Sequence, residues 1–215
     1  VFMPRLIIFA NGLVPDLESA RHILQAGDVL YAADGGTRHA MALGLLPSRV
    51  IGDLDSLASD DRRKLAAGDV EVQQFPRDKD MTDLELAIHY GIQAGYREIL
   101  ILGGLGGRID QSLGNLSLLT SREFGALDIR MDDGVEEAFF TRDRCEVHGS
   151  SGDSVSLIPW GGEVTGVTTA GLRWRLRSEI LLPDRTRGIS NEMSGKMASI
   201  RLKSGLLLII HQRQR

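Results

Sequence analysis

Four times in the first 110 residues a short apolar run breaks onto glycine with a polar or acidic residue beside it. Arg5 to Ala10 meets Asn11-Gly12, and Val29 to Ala33 meets Asp34-Gly35-Gly36. Val50-Ile51 meets Gly52-Asp53-Leu54-Asp55-Ser56, and Glu98 to Leu102 meets the glycine-rich stretch Gly103 to Asp110. Each run has the length and composition of a buried strand, and each break reads as a turn. Between them lie stretches with helical spacing: Asp16 to Ala26, about eight residues ending near Gly44, Ser59 to Ala67, Thr82 to about Ala94, and Asp110 to Glu123. Thr82-Asp83-Leu84-Glu85 has the capping-box pattern. Val70 to Phe75 and Leu127 to Met131 read as further strands. Strands alternating with helices predict an α/β fold with a mostly parallel sheet. In such a sheet all four breaks fall on the strand C-terminal edge, where ligands bind. A fifth polar cluster, Asp78 to Asp83, opens a helix after a strand.

The texture changes near Asp132-Asp133-Gly134. Beyond it, short strand-like runs, Arg173 to Leu176 among them, are separated by Gly, Pro, Ser and Asp. Two domains are expected: an α/β domain over residues 1–133 and an all-β domain, sandwich or barrel, over 134–215. Residues 1–133 carry 13 Lys and Arg against 20 Asp and Glu, and residues 134–215 carry 12 against 9. With a net charge of −4 the chain lacks the basic footprint of a nucleic-acid binder. No apolar run approaches the roughly 18 residues of a membrane span, so no membrane partner is expected. The opening Val1-Phe2-Met3-Pro4-Arg5 has no secretory-signal pattern. The single cysteine, Cys145, rules out an internal disulfide and fits a reducing, cytoplasmic compartment.

The motifs suggest a chemistry. Asp53 and Asp55 lie two apart just past a strand, so in extended backbone both carboxylates reach one hard cation such as Mg²⁺. Asp80 could complete that shell, and Asp83 lies in a first helical turn where its charge also suits the helix dipole. Gly106 and Gly107 let backbone approach phosphate, and Arg108 offers a fork for its oxygens. The loop is neither a Walker A motif nor G-x-G-x-x-G. Trp174 has a parity opposite to Arg173 and Arg175, which aligns it with Leu172 and Leu176 on an apolar side, either core or subunit-interface pocket. The five histidines show no metal spacing.

Taken in order, Asp34-Gly35-Gly36, Gly52 to Ser56, Asp78 to Glu85, Gly103 to Asn115, Thr169 to Trp174 and Gly188 to Glu192 resemble the thiamine pyrophosphokinase family over nearly the whole chain. The resemblance implies transfer of a pyrophosphoryl group from ATP to thiamine, giving thiamine diphosphate and AMP. It implies a Rossmann-like α/β domain, a C-terminal β-sandwich, and a homodimer with active sites between subunits. By motif, Asp53, Asp55 and Asp80 would hold Mg²⁺. Asn11, Gly106, Gly107, Arg108, Asp110 and Gln111 would meet ATP, and Asp34, Trp174, Ser190 and Asn191 would meet thiamine. Asp80, Asp83 and Arg108 are the catalytic candidates, with Asp83 or Asp80 placed to take the hydroxyl proton. Competing readings are a Mg²⁺-dependent phosphatase or sugar-nucleotide transferase built on Asp53-Leu54-Asp55, and a non-catalytic thiamine or nucleotide sensor.

Overall fold

The structure is a computed structural model that describes residues 4–53, 59–76 and 78–214. The chain divides into two compact units, Val1–Gly134 and Val135–Arg215.

The first unit is mixed α/β. Its strands are β1 (Leu6–Phe9), β2 (Val29–Ala33), β3 (Arg49–Gly52), β4 (Glu71–Gln74), β5 (Glu98–Leu102) and β6 (Asp128–Asp132). They lie in the order β6-β5-β1-β2-β3-β4, every pairing parallel. Its helices are α1 (Leu17–His22), α2 (Thr37–Ala42), α3 (Ser59–Ala67), α4 (Asp83–Gln93) and α5 (Ile109–Leu118). β1 is buried along its whole length, as a central parallel strand covered on both faces must be. Ile7 and Phe9 join a core cluster with Ala20 of α1, Ala40 of α2 and Leu65 of α3. Leu6, on the opposite face by strand alternation, meets α4 at Gly91, where a Cβ would collide with the Leu6 side chain.

Helix ends follow local chemistry. Thr82 caps α4, its hydroxyl accepting the Glu85 N–H at 3.2 Å. Two helices are shorter than the apolar spacing predicts. α1 stops at His22 because the Gln25 N–H is taken by the Asp28 carboxylate at 2.8 Å, which turns the chain into β2. α5 stops at Leu118, after which Ser121 caps a separate 3₁₀ turn (Arg122–Phe124) by accepting the Glu123 N–H.

The second unit is β-rich, and its described residues form no α-helix. β7 (Glu136–Thr141), β8 (Arg144–His148), β9 (Ser154–Pro159), β10 (Val164–Ala170), β11 (Glu179–Leu181), β12 (Asn191–Glu192), β13 (Met197–Arg201) and β14 (Leu207–Gln212) pair antiparallel. One sheet runs β12-β9-β14-β7 and the other β11-β10-β13-β8. Leu157, Leu207 and Ile209 from the first share a single apolar cluster with Val147, Val167 and Ile200 from the second. Contrary to expectation, Arg173 to Leu176 is not a strand. The alternation of its residues survives only at Leu172 and Leu176, which are buried, while Trp174 is 53% exposed. The segment meets β12 through backbone and side-chain bonds at its start and returns to β10 at Leu176, so strand parity does not govern it.

A buried ionisable cluster ties the ends of this unit together. His211 is fully buried, its Nε2 2.9 Å from Asp153 Oδ2 and its Nδ1 3.6 Å from Glu137 Oε2. Asp153 also accepts the N–H groups of Ser150 and Gln214. Burial alone would lower the His211 pKa, but the Glu137 and Asp153 carboxylates outweigh it and the pKa is raised. Burial works against the Asp153 carboxylate too, yet its backbone N–H partners and His211 hold it below the usual range. A raised histidine pKa stabilises the fold below the unfolded-state value, and this stabilisation fades as pH rises through the folded value. The depressed Asp153 contributes above its ordinary pKa and fades as pH falls through the folded one. The stability difference between the natural chain and His211→Gln should therefore be large in mildly acidic solution and shrink toward alkaline pH. Urea melts across pH check this, and a difference independent of pH would contradict it.

Candidate active site

The strand order reverses between β1 and β5, the place where an open parallel sheet leaves a crevice at its C-terminal edge. The chains leaving these two strands are zipped together. The N–H groups of Ala10, Gly12 and Leu13 donate to the carbonyls of Leu102, Gly103 and Leu105 at 2.7, 2.7 and 2.8 Å. Only glycine fits at position 12, because a Cβ there would strike the carbonyl oxygens of both Leu105 and Gly103. Gly106 and Gly107 both take positive φ, 81° and 72°. Side chains of α5 fasten the loop: the Ser112 hydroxyl accepts the Gly106 N–H at 3.1 Å, and Asn115 Nδ2 donates to the Gly104 carbonyl at 2.7 Å. The Gly106 amide is thus spent inside the loop, so its glycine serves the shape of the loop.

Over this seam opens a cleft of about 490 Å³, within the size range of small-molecule sites. It brings together Asn11, Asp34, Asp53, Asp83, Gly106, Gly107, Arg108 and Gln111 from the residues singled out by sequence. Asp110 lines an adjoining recess with Glu85 and Gln111. Asp80 is exposed and outside the cleft lining. Asp55 lies outside the described residues. Trp174, Ser190 and Asn191 belong to the second unit, where Ser190 is exposed and Asn191 is buried.

The cleft is charged with purpose at its acidic side. Asp34 sits at φ 41°, a left-handed conformation a non-glycine residue adopts at a cost of about 1 kcal/mol. The absence of a side chain at Gly52 makes room for it, since a Cβ there would lie 2.9 Å from the Asp34 Cβ. Asp83 forms an ion pair with Lys79 at 3.0 Å. Its pKa is raised, first by burial and further by the charges of Asp34 and Asp53, with Lys79 pulling the other way. On the other side Arg108 forks onto Asp110, Nε to Oδ1 at 3.1 Å and Nη2 to Oδ2 at 2.5 Å. These bonds hold the exposed Asp110 carboxyl below its usual range.

Two supporting residues went unread in the sequence. Arg38 donates from Nη2 to Asn11 Oδ1 at 2.5 Å and from Nε to the Gly35 carbonyl at 3.2 Å. This fixes the Asn11 carboxamide so that its NH₂ is the end left to face a ligand. His39 Nε2 donates to the Gly12 carbonyl at 2.9 Å. Both stand in the first turn of α2, directly after Asp34-Gly35-Gly36, and that adjacency was the available signal.

Comparison with known proteins identifies the family. A family model described as "Thiamin pyrophosphokinase, catalytic domain" matches residues 20–148, and "Thiamin pyrophosphokinase, vitamin B1 binding domain" matches 144–207. The chain belongs to the thiamin pyrophosphokinase family. As a thiamin pyrophosphokinase it is a kinase-class transferase that moves pyrophosphate from ATP to thiamine. The Bacillus subtilis thiamine pyrophosphokinase is 27% identical over 215 residues, covering 97% of this chain and 98% of its own. The crystal structure of thiamine pyrophosphokinase from Bacillus subtilis superposes with a TM-score of 0.87 at 25% identity, covering 98% of this chain and all of that one. The yeast thiamin pyrophosphokinase structure shares the fold, with a TM-score of 0.77 at 16% identity over 98% of this chain and 86% of its own. Among the described residues no helix is long and apolar enough to cross a membrane.

Proposed function

We propose that the cleft at the β1–β5 reversal is where this thiamin pyrophosphokinase binds ATP and carries out the transfer. The observation that carries this reading is the meeting, on one rim, of a phosphate-suited loop with three carboxylates, Asp34, Asp53 and Asp83. Asn11, Gly107, Arg108 and Gln111 meet the triphosphate, with Asp110 holding the Arg108 fork until phosphate replaces it. Asp53 of the cleft would hold Mg²⁺, with Asp55 and Asp80 as its further ligands. The donor chemistry suits that ion: hard carboxylate oxygens at a cleft that also gathers Asp34 and Asp83. Among the described residues no three His, Cys, Asp or Glu side chains form a metal cluster by themselves, and Mg²⁺ needs only one or two carboxylates when phosphate and water supply the rest. Bound there, the ion would neutralise phosphate charge in the transition state.

In the second unit Trp174, Ser190 and Asn191 are the residues assigned to thiamine, the indole face suiting its rings; in the first unit Asp34 is assigned to it for its negative charge. Thiamine's hydroxyl attacks the β-phosphorus in line, the bond to the α-phosphate oxygen breaks, and AMP leaves. Asp83 is poised to accept the hydroxyl proton, because burial and its acidic neighbours make it more basic than an ordinary carboxylate. We further propose that the first unit is Rossmann-like, the second a sandwich, and the enzyme a cytoplasmic homodimer. Exposed apolar side chains at Ile109 and Leu113 in one unit, and at Trp174, Ile180 and Met197 in the other, are what a dimer would cover.

Incubation with ATP, Mg²⁺ and thiamine, with the nucleotides resolved, tests the reaction. AMP and thiamine diphosphate should form in equal amounts. ADP with thiamine monophosphate would place the attack on the γ-phosphorus and overturn the assignment.

A further inference from the structure

Between Gly171 and Ser178 the second unit is built around one exposed ring. Trp174 is largely open to solvent, while Leu172 and Leu176 on either side of it are buried. Asn191 of β12 is itself buried and spends its carboxamide on the backbone of residue 174. Its Nδ2 donates to the Trp174 carbonyl at 2.6 Å, and its Oδ1 accepts the Trp174 N–H at 3.0 Å and the Glu192 N–H at 2.9 Å. A carboxamide carries a donor and an acceptor side by side, so it matches a peptide's C=O and N–H as a neighbouring strand would. Arg173 reinforces this. Its guanidinium lies 4.9 Å from the Trp174 ring centroid and pairs with Glu192 at 2.9 Å, and its N–H donates to the Glu192 carbonyl. One face of the indole is covered by an anchored cation.

An exposed tryptophan gains little for the core of its own unit, and burying a carboxamide is tolerated only when its polar atoms are bonded. Here a buried side chain, bonded through both its amide oxygen and its amide nitrogen, serves the placement of a surface ring. We infer that Asn191 is a positioning residue for thiamine: it fixes Trp174 so that the indole offers substrate the face Arg173 leaves uncovered. The inference rests on the assignment of Trp174 to thiamine and refines the role of Asn191, which acts through Trp174. Fixing the platform beforehand removes an ordering cost from binding.

The test uses Trp160→Phe as background, which leaves Trp174 the sole tryptophan. Asn191→Asp keeps the acceptors but sets a carboxylate against the Trp174 carbonyl, and Asn191→Ala removes both. Time-resolved anisotropy of the indole, the KM for thiamine, the KM for ATP and kcat are measured, with far-ultraviolet circular dichroism to follow folding. The expected result for Asn191→Asp is a more mobile indole and a KM for thiamine raised about tenfold, with the KM for ATP and kcat little changed. A loss of fold in Asn191→Asp would assign the residue to the β-unit's architecture and overturn the inference. So would an unmoved indole, or a loosened indole with an unchanged KM while Trp174→Ala raises it. If Trp174→Ala also leaves the KM for thiamine unchanged, the assignment of Trp174 to thiamine fails instead, and with it the substrate role inferred for Asn191.

Discussion

Replacing Asp53 by Asn is expected to lower kcat about a thousandfold while the protein stays folded. The size follows from what the substitution removes. Asn keeps the shape and hydrogen-bonding capacity of the side chain and deletes one negative charge at the end of β3, in the cleft that also holds Asp34 and Asp83. Loss of a charged metal ligand forfeits several kcal/mol of transition-state charge stabilisation, and about 4 kcal/mol corresponds to three decades in rate. Stability should not fall with it. The Asp34 and Asp53 charges already push the Asp83 pKa up, so removing one of them relieves repulsion that the folded state bears. The expected pattern is a collapsed kcat, a higher Mg²⁺ requirement, an Asp83 pKa displaced back toward the ordinary carboxylate range, and an unchanged or slightly raised melting temperature. Turnover near that of the natural chain would remove Asp53 from the metal site. A collapse of both activity and folding would make it a structural residue.

The rim was legible because it rests on short-range rules. A strand that ends in glycine and aspartate, followed by a helix, can be recognised one segment at a time, and the capping of α4 by Thr82 needs only four residues. The same locality explains what was hidden. Nothing near Gln25 says that its N–H will be taken by Asp28 and end α1 early, because that choice is between two competing local bonds of similar strength. The lock on Asn11 comes from Arg38, 27 residues away, and appears only once β1 and α2 are side by side. The strand on which the parity of Trp174 rested is absent for a related reason. Parity holds where a backbone ladder enforces it, and at residue 174 the partner is a side chain, Asn191, so the alternation of apolar residues is real while the orientation it implies is not. Charge gave a weaker signal than position: the net charge of −4 argued against a nucleic-acid binder, but only the fold collects Asp34, Asp53 and Asp83 in one cleft.

Gly12→Ala is expected to reduce kcat/KM for ATP by about a hundredfold, although the substitution adds a single methyl group and touches no charged residue. The added Cβ would collide with the carbonyl oxygens of Gly103 and Leu105, which accept the N–H groups of Gly12 and Leu13. Neither oxygen can retreat without breaking the seam, so the β1 and β5 loops must separate. Arg108 and Asn11 stand on opposite sides of that seam, and displacing one from the other by about an ångström is enough to cost about two decades in rate. The clash itself should cost about 2 kcal/mol of stability, measurable by urea denaturation. Gly44→Ala supplies the comparison. Gly44 has φ 73° with open space around its would-be Cβ, so alanine there incurs left-handed strain of about 1 kcal/mol and no collision. It lies outside the cleft lining, so activity should persist. A Gly12→Ala enzyme with normal kinetics would mean that the two loops do not need this seam to hold the nucleotide. Normal kinetics for Gly44→Ala beside a crippled Gly12→Ala would show that what matters at position 12 is the missing volume: two loops brought close enough for one triphosphate to touch both.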